Sequence, residues 1–222
     1  MTLMLDFDIN VLFNNWDRYI DGFLTTLQVS LIGLVGSFIL GTLIAVFRIA
    51  PVKPLNWFGT AYVEFFRNIP LLITVYLFYY GLGSFGVNFD GFAAGTIGLP
   101  IYTSAYVAEA IRAGIQTVPK GQMEAGRSSG LSYNQTMIEI ILPQAIKISL
   151  PAIGNQFINM FKNSSILAIV AGADLMLVSD QINSDIFMPV SVYAFTAMFY
   201  LVITLPLSFG VLYLERRLAK TS

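Results

Sequence analysis

The sequence predicts an all-α integral membrane protein with five transmembrane helices. Of its 222 residues, 56% are hydrophobic and only 11% are charged, whereas a soluble domain is roughly 25% charged. The mean hydropathy is +0.71. Five largely apolar stretches also reach the length of about 20 residues that a helix needs to cross a bilayer. Too little charge for a soluble surface, together with spans of the right length, indicates a protein embedded in lipid.

The five predicted spans have similar lengths, at about 23–47, 58–81, 92–114, 149–171 and 190–212. Strands of membrane barrels are about 10 residues long and alternate apolar with polar positions. These stretches are longer and do not alternate, so helices are favoured. Prolines lie in or at the start of four predicted helical segments, and we expect each to produce an ordinary kink, as neighbouring helices can satisfy the freed carbonyl groups in lipid: Pro70, Pro100, Pro151 and Pro206.

The distribution of basic residues sets the predicted orientation, because Lys and Arg collect in cytoplasmic loops. The segments after the first, third and fifth spans carry most of the basic residues. The segments before the first span and after the second and fourth spans carry almost none. The N-terminus is therefore expected outside and the C-terminus in the cytoplasm. Residues 1–22 read as an amphipathic extracytoplasmic segment on the outer membrane surface, residues 23–217 as the transmembrane domain, and residues 218–222 as a cytoplasmic tail.

The composition excludes several kinds of chemistry. The chain has no cysteine and no histidine, so the usual thiolate nucleophile, zinc ligands and commonest general base are missing. A net charge of −1 argues against a nucleic-acid binder. No phosphate-cradling G-x-x-x-x-G-K-[ST] loop occurs in it. We expect a non-enzymatic protein with no metal or cofactor of its own, whose energy comes from another polypeptide.

The cytoplasmic loop between the third and fourth spans, residues 115–148, is far longer than a connector requires. Residues 122–127 favour a helix that 128–130 interrupt, and a second helix is expected over 133–142, ending before Pro143. Such a protruding pair of short helices suggests docking to a soluble partner. A segment that merely lies on the surface and re-enters the fourth span is the alternative.

A motif in this loop resembles the EAA motif of binding-protein-dependent ABC importers. Glu124-Ala125-Gly126 is followed after three residues by Gly130, and after nine more by Ile140, Leu142 and Pro143, so the only departure from the family pattern is Gly126 in place of alanine. The resemblance implies that Glu124, Ala125, Gly126 and Gly130 shape the surface that docks on the ATPase. It also implies that Ile140, Leu142 and Pro143 anchor the loop to the membrane domain.

The resemblance extends over most of the chain. Residues 62–72, 105–115, 150–158 and 162–165 are similar to signatures of the polar amino-acid branch of this family, the histidine/glutamine/glutamate/arginine/opine type. It implies a type I ABC importer permease fold working by alternating access. It also implies two ATPase subunits that carry ATP and magnesium, a second identical or different permease chain, an extracytoplasmic amino-acid-binding protein, and a multi-pass location in the bacterial inner (plasma) membrane.

Two charge pairs lie at cytoplasmic helix ends. Glu64 and Arg67, and likewise Glu109 and Arg112, are spaced i,i+3, which allows each pair to neutralise itself on one helix face. They are expected to be structural pairs at the membrane interface, and the functional alternative is a cytoplasmic gate.

Lys162 lies about 14 residues into the fourth span, where a lone cation is costly unless it faces water or a partner. Asn155, Asn159, Lys162 and Asn163 share one helical face. This face is the predicted substrate path, with Lys162 offering its charge to an amino-acid carboxylate. A buried face bonded to neighbouring helices is the alternative. The face has no carboxylate to bind a cationic side chain, which favours glutamine, glutamate or aspartate.

Two other function classes remain open at this point. An ion-coupled secondary carrier would have more spans, inverted repeats and a midplane carboxylate or histidine. A membrane enzyme would need a catalytic constellation at membrane depth. The sequence shows neither set of features, and both rank below the importer permease.

Overall fold

The computed structural model describes residues 7–219, and within that range the chain forms ten α-helices and no strand. Shorter π- and 3₁₀-helical segments extend some of them. The bounds of the helices are α1 Asn10–Asn14, α2 Trp16–Ile49, α3 Lys53–Asn68, α4 Leu71–Tyr76, α5 Gly91–Thr117, α6 Lys120–Ser128, α7 Tyr133–Thr136, α8 Leu142–Asn163, α9 Leu175–Ile186 and α10 Pro189–Ala219.

Helix α5 lies at the centre of the bundle and packs against α2 and α8. Small residues allow these close approaches, as is usual where helices meet in membranes. A Cβ atom added at Gly41 of α2 would lie 2.7 Å from the Cβ of Val107. One added at Gly114 would lie 2.1 Å from the Oγ of Ser149. Both glycines are therefore required by the distances between α5 and its neighbours.

The first long helix begins earlier than expected. Helix α2 starts at Trp16 rather than near residue 23, and Tyr19 is fully buried. The Tyr19 ring stacks on Phe199 with centroids 5.5 Å apart, and its hydroxyl donates to the Val192 carbonyl at 3.2 Å. Residues 16–22 thus belong to the long helix α2, and the aromatic rings of Trp16 and Tyr19 pack onto α10. The extracytoplasmic placement of residues 1–22 stays a prediction. Residues 1–6 of that segment lie outside the described range.

The second predicted span, 58–81, is not one straight helix. The chain bends by 109° between α3 and the segment Leu71–Phe85, and Ile69 and Pro70 both have extended ψ angles. Proline has no N–H for the helix ladder and forces the preceding residue out of the helical region. The expectation of an ordinary kink at Pro70 is therefore wrong.

Three helical stretches of the described residues are long and apolar enough to cross a membrane: Trp16–Ile49, Tyr133–Val170 and Pro189–Leu218. A fourth is obtained if the bent pair α3–α4 counts as one span. Helix α5 has 27 residues and is long enough, but it is less apolar than these three. Its central position explains this, because a helix surrounded by other helices contacts little lipid. The number of five spans and the orientation stay predictions.

The helix that contains the fourth predicted span is longer than predicted at its N-terminal end. The chain is helical without a break from Tyr133 to Val170, through the π-helical segment Met137–Ile141, α8 and the 3₁₀ segment Ser164–Val170. The prediction that a loop helix ends before Pro143 is wrong. Pro143 falls in the first turn of α8, where its missing N–H costs least, and the π-helical turn before it absorbs the change in hydrogen bonding.

Helix α9 was not predicted. Its N-cap is Asp174, whose carboxylate accepts from the backbone N–H of Met176 at 3.0 Å and of Leu177 at 3.3 Å. Leu175 and Ile182 of α9 are buried in a cluster with Val11, Tyr19, Val192 and Phe195. The predicted loop between the last two spans is therefore a packed element of the bundle.

Candidate functional site

Two asparagines of the predicted substrate path, Asn159 and Asn163, line a cavity of about 230 Å³ between α5 and α8. The side chains around it, all of them polar and uncharged, are those of Tyr102, Thr103, Tyr106, Gln156, Asn159 and Asn163. We call it the amide cavity. The Tyr102 and Tyr106 hydroxyls lie 2.9 Å apart, so hydroxyl and amide groups offer hydrogen-bond donors and acceptors without a formal charge.

Lys162 faces a different cavity, of about 380 Å³, at the junction of α8, α9 and α10. Its lining, which defines the lysine cavity, consists of Lys162, Ser165, Met176, Tyr193, Thr196, Ala197 and Tyr200. Lys162 is exposed and has no ion-pair partner among residues 7–219. Asn155 is exposed and lines neither cavity. The structure thus divides the predicted polar face between two cavities.

Glu109 is the centre of a charge cluster that joins three helices. Its carboxylate bonds to Arg48 of α2 and to Arg112 one turn along α5, with the Arg112 Nη2 2.5 Å from Oε1. Arg67 of α3 is more distant, at 3.7 Å. Arg48 is only 10% exposed, and a carboxylate at this position compensates a guanidinium that would be costly to leave unpaired.

The expected intrahelical ion pair forms in α5 but not in α3. Among the described side chains, Glu64 makes no salt bridge with Arg67 and instead accepts from the Asn68 side chain at 3.3 Å. Arg67 turns towards Glu109 and lies over the Tyr106 ring, 5.6 Å from its centroid. The prediction of a self-neutralising Glu64–Arg67 pair is wrong, because the tertiary partners of Arg67 replace the local one.

The predicted cytoplasmic loop contains two helices, α6 and α7, joined by a glycine turn. Helix α6 ends in a Schellman motif: the N–H of Leu131 donates to the Gly126 carbonyl at 3.2 Å, and that of Gly130 donates to Arg127 at 3.1 Å. Gly130 has a φ angle of +90°, which glycine adopts without steric cost. Glu124 and Ala125 are exposed on α6, where a partner could reach them.

The base of this loop is held by packing. Gly126 is buried, and a Cβ added there would lie 2.5 Å from the Cγ2 of Thr136. Ile140 packs on the cluster of Val118, Met137, Ile141 and Ala145, and Leu142 packs on the central core. Pro143 is exposed, so its effect is on the backbone rather than on packing.

Several residues at these sites were not predicted. Tyr102, Tyr106 and Gln156 line the amide cavity, and Arg48 joins the Glu109 cluster. Gln156 lies one position beyond Asn155, about 100° around the helix, so it falls outside the face that the spacing selected. In the sequence, Arg48 is one of the basic residues that follow the first predicted span, and nothing in its spacing pointed to Glu109. No group of three or more potential metal ligands occurs in the described part of the chain.

Residues 23–220 match a protein family described as "Binding-protein-dependent transport system inner membrane component". The probable glutamine ABC transporter permease protein GlnM of Bacillus subtilis (strain 168) is 59% identical over 214 residues, which are 96% of this chain and 99% of that protein. The glutamate transport system permease protein GluC of Corynebacterium efficiens is 34% identical and covers 89% of this chain and 92% of its own length.

Solved structures agree with these relatives. A chain from the crystal structure of an amino acid ABC transporter with histidines superimposes with a TM-score of 0.86, 38% identity and coverage of 96% of this chain and 100% of that chain. The MetNI methionine ABC transporter in an inward-facing conformation gives 0.72 at 19% identity, covering 95% and 98%, and shows the shared fold. The chain thus belongs to the inner-membrane components of binding-protein-dependent transport systems, as a non-catalytic permease subunit of an amino-acid ABC importer.

Proposed function

We propose that this permease imports glutamine, or the closely related glutamate or aspartate, through a path that includes the amide cavity. The observation that carries the proposal is the lining of that cavity, six polar side chains without a charge. A site lined by amides and hydroxyls can pair with both the donor and the acceptor of a substrate amide, and it rejects analogues that leave those groups unpaired. The 59% identical relative, named as a probable glutamine permease, supports the same substrate class.

Lys162 has a separate role in this proposal. Its ammonium group lines the lysine cavity beside the polar side chains of Ser165, Tyr193 and Thr196, and no carboxylate of the described residues pairs with it. An unpaired cation within a predicted span favours an anionic ligand. The α-carboxylate that all amino acids share fits this requirement. Lys162 would therefore bind the α-carboxylate of the substrate, while the amides of the amide cavity select the substrate's side chain. Asn155 is exposed and lines neither cavity. It belongs to the proposed path only if a second permease chain packs against it.

The charge cluster belongs to the cytoplasmic end of the path. Arg67 lies over Tyr106, which also lines the amide cavity, and it is the arginine farthest from Glu109. Glu64, Arg67, Glu109 and Arg112 therefore act in this proposal as a gate whose arginine contacts rearrange when α3 moves against α5.

The remaining parts of the importer come from other chains. Two ATPase subunits dock on the cytoplasmic loops of two permease chains, and a binding protein delivers the amino acid from outside. Exposed Glu124 and Ala125 on α6 support docking there. Closure of the ATPases would move each loop, and alternating access would follow because α7 is continuous with α8 through the π-helical turn.

Uptake by the complete importer in proteoliposomes tests the proposal. Glutamine uptake should be competed by glutamate and aspartate more strongly than by arginine or lysine. Asn159→Leu and Asn163→Leu should each raise the KM for glutamine at least tenfold, because each leaves a substrate hydrogen bond unpaired. Gln28→Leu, which alters an exposed amide of α2 outside both cavities, is the matched control. Unchanged KM in both cavity variants would contradict the assignment of this path.

A further inference from the structure

An apolar groove of about 450 Å³ lies between α8 and α10, away from both polar cavities. The only polar side-chain group in its lining is the hydroxyl of Tyr213. Its walls include Leu34, Leu150, Gly154, Phe157, Gly210 and Tyr213. Its volume falls within the range of about 300–1,000 Å³ that small-molecule sites occupy in proteins. Gly210 leaves it open, because a Cβ added there would meet nothing within 4 Å.

The two helices that form the groove run antiparallel. Lys162 of α8 and Ser165 of the 3₁₀ segment that follows it share a cavity with Tyr193 and Tyr200 of α10. Gly154 of α8, in contrast, meets Val211, to which an added Cβ would lie 2.6 Å away. Earlier residues of α8 therefore lie beside later residues of α10. Continuing this register brings residue 147 of α8 close to the end of α10.

Basic side chains lie at that end of the groove. Lys147 is on the groove-lining face of α8, since Leu150, Gly154 and Phe157 follow it at i+3, i+7 and i+10. On α10 the face through Gly210 and Tyr213 continues to Arg216 and Arg217. Glu215 precedes Arg216 in the sequence. Lys147 and Arg216 are exposed and form no ion pair with any carboxylate of the described range.

We propose that this groove binds an anionic phospholipid, with an acyl chain between α8 and α10 and the phosphate at Lys147 and Arg216. The positive charge of Lys147 and Arg216 at the end of the groove favours a lipid over a second copy of this chain as its occupant. A second copy of this chain would bring the same basic residues, whereas an anionic headgroup compensates them. Basic clusters beside membrane helices attract anionic lipids by about 1 kcal/mol for each Lys or Arg, which is about fivefold in affinity. The predicted orientation assigns the lipid to the cytoplasmic leaflet.

Native mass spectrometry of the detergent-solubilised importer tests this site with phosphatidylglycerol and phosphatidylcholine of the same acyl chains. The unaltered importer should bind phosphatidylglycerol more tightly. Lys147→Gln and Arg216→Gln should each weaken phosphatidylglycerol about fivefold and leave phosphatidylcholine unchanged. Gly210→Leu fills the groove and should weaken both lipids at least tenfold, and Gly210→Val provides a smaller change if the leucine variant does not fold.

Matched controls separate the groove from general effects. Lys53→Gln removes an exposed basic residue elsewhere, and Val202→Leu enlarges an exposed side chain of α10 outside the groove. Neither should change lipid binding. Equal affinity for the two lipids in the unaltered importer would overturn the proposal, as would full lipid binding by both Gly210 variants. The proposal would also be overturned if Gly210→Leu separated the two permease chains while the bound lipid was retained. In that case a second copy of this chain, and not a lipid, occupies the groove.

Discussion

Gly126 shows how closely the residues of the predicted cytoplasmic loop pack, because there is no room for a side chain at this position. The family pattern has alanine at this position, yet here a Cβ would lie 2.5 Å from Thr136 Cγ2, 3.0 Å from Thr136 Oγ1 and 3.1 Å from Ile140 Cδ1. Thr136 is fully buried and bonded to the Ser132 carbonyl at 3.0 Å, so it cannot turn away. The departure from the motif at Gly126 is therefore explained by the threonine at 136.

Replacing this glycine should destabilise the loop. Gly126→Ala forces α6 away from α7, and overpacking of this kind costs about 1–3 kcal/mol, more than the roughly 1 kcal/mol that alanine gains in helix propensity. Adding Thr136→Ser removes the clashing methyl group and should restore most of the loss. Thermal unfolding of the purified permease in detergent measures both.

Gly121→Ala is the matched control for this pair. Gly121 is an exposed residue of the same helix, and a Cβ there would meet nothing within 4 Å. This change should leave stability equal or slightly raise it. If Gly126→Ala were as well tolerated as Gly121→Ala, the packing account of the motif would fail.

Helix α9 depends on a carboxylate that is buried at its N-terminus. Asp174 is 0% exposed, and burial raises its pKa from 3.8 to about 6 although the backbone N–H groups of Met176, Leu177 and Asp174 itself oppose the shift. Between pH 4 and 6 the folded protein therefore binds a proton that the unfolded chain releases. The contribution of Asp174 to stability is greatest below pH 4, falls as the pH rises to 6, and is constant above that.

Asp174→Asn should remove this pH dependence. Asparagine is also a good N-cap, so the helix start is kept while the ionisable group is lost. Unfolding curves of the purified permease from pH 4 to 7 should show a decline in stability that is steeper for the unaltered protein than for the variant. Asp90→Asn, at the exposed N-cap of α5, should leave the slope unchanged. Parallel pH profiles for Asp174→Asn and the unaltered permease would contradict this account.

The elements that the sequence predicts well are those whose signal is local. Apolar length identifies α2 and α10, and the small residues and turn around Gly130 identify the loop between α6 and α7. The 109° bend at Pro70 was missed because a proline in a hydropathy profile does not state whether the helix kinks or breaks. Helix α9 was missed because a 12-residue helix is too short for a span, although the Asp174 cap and the apolar spacing of Leu175, Val178 and Ile182 contained the signal.

Sites that depend on packing between helices were predicted only in part. The polar face of α8 was visible in the sequence, but its division between two cavities results from how α5, α9 and α10 pack against it. Arg67 likewise takes Glu109 and Tyr106 as partners across helices instead of Glu64 on its own helix. Spacing along one helix predicts which residues share a face of that helix. It does not predict which residues of other helices pack against that face.

At the scale of the whole molecule, polar and charged residues are grouped in separate regions that correspond to different functions of an importer. Polar side chains of α8 line the two cavities, basic residues are concentrated at one predicted side, and α6 presents Glu124 and Ala125 as exposed residues. The family supplies the reason, because its members are membrane components of transport systems and obtain energy from a separate ATPase. We expect this ATPase to engage the predicted cytoplasmic loop through α6.

Co-purification of the permease with the ATPase tests this docking. Glu124→Lys reverses an exposed charge on α6 without touching a buried contact, and it should abolish recovery of the ATPase with the tagged permease and amino-acid uptake by proteoliposomes. Glu215→Lys makes the same charge reversal near the end of α10 and should keep both. Full recovery of the ATPase with Glu124→Lys, at unchanged thermal stability, would contradict the docking assignment.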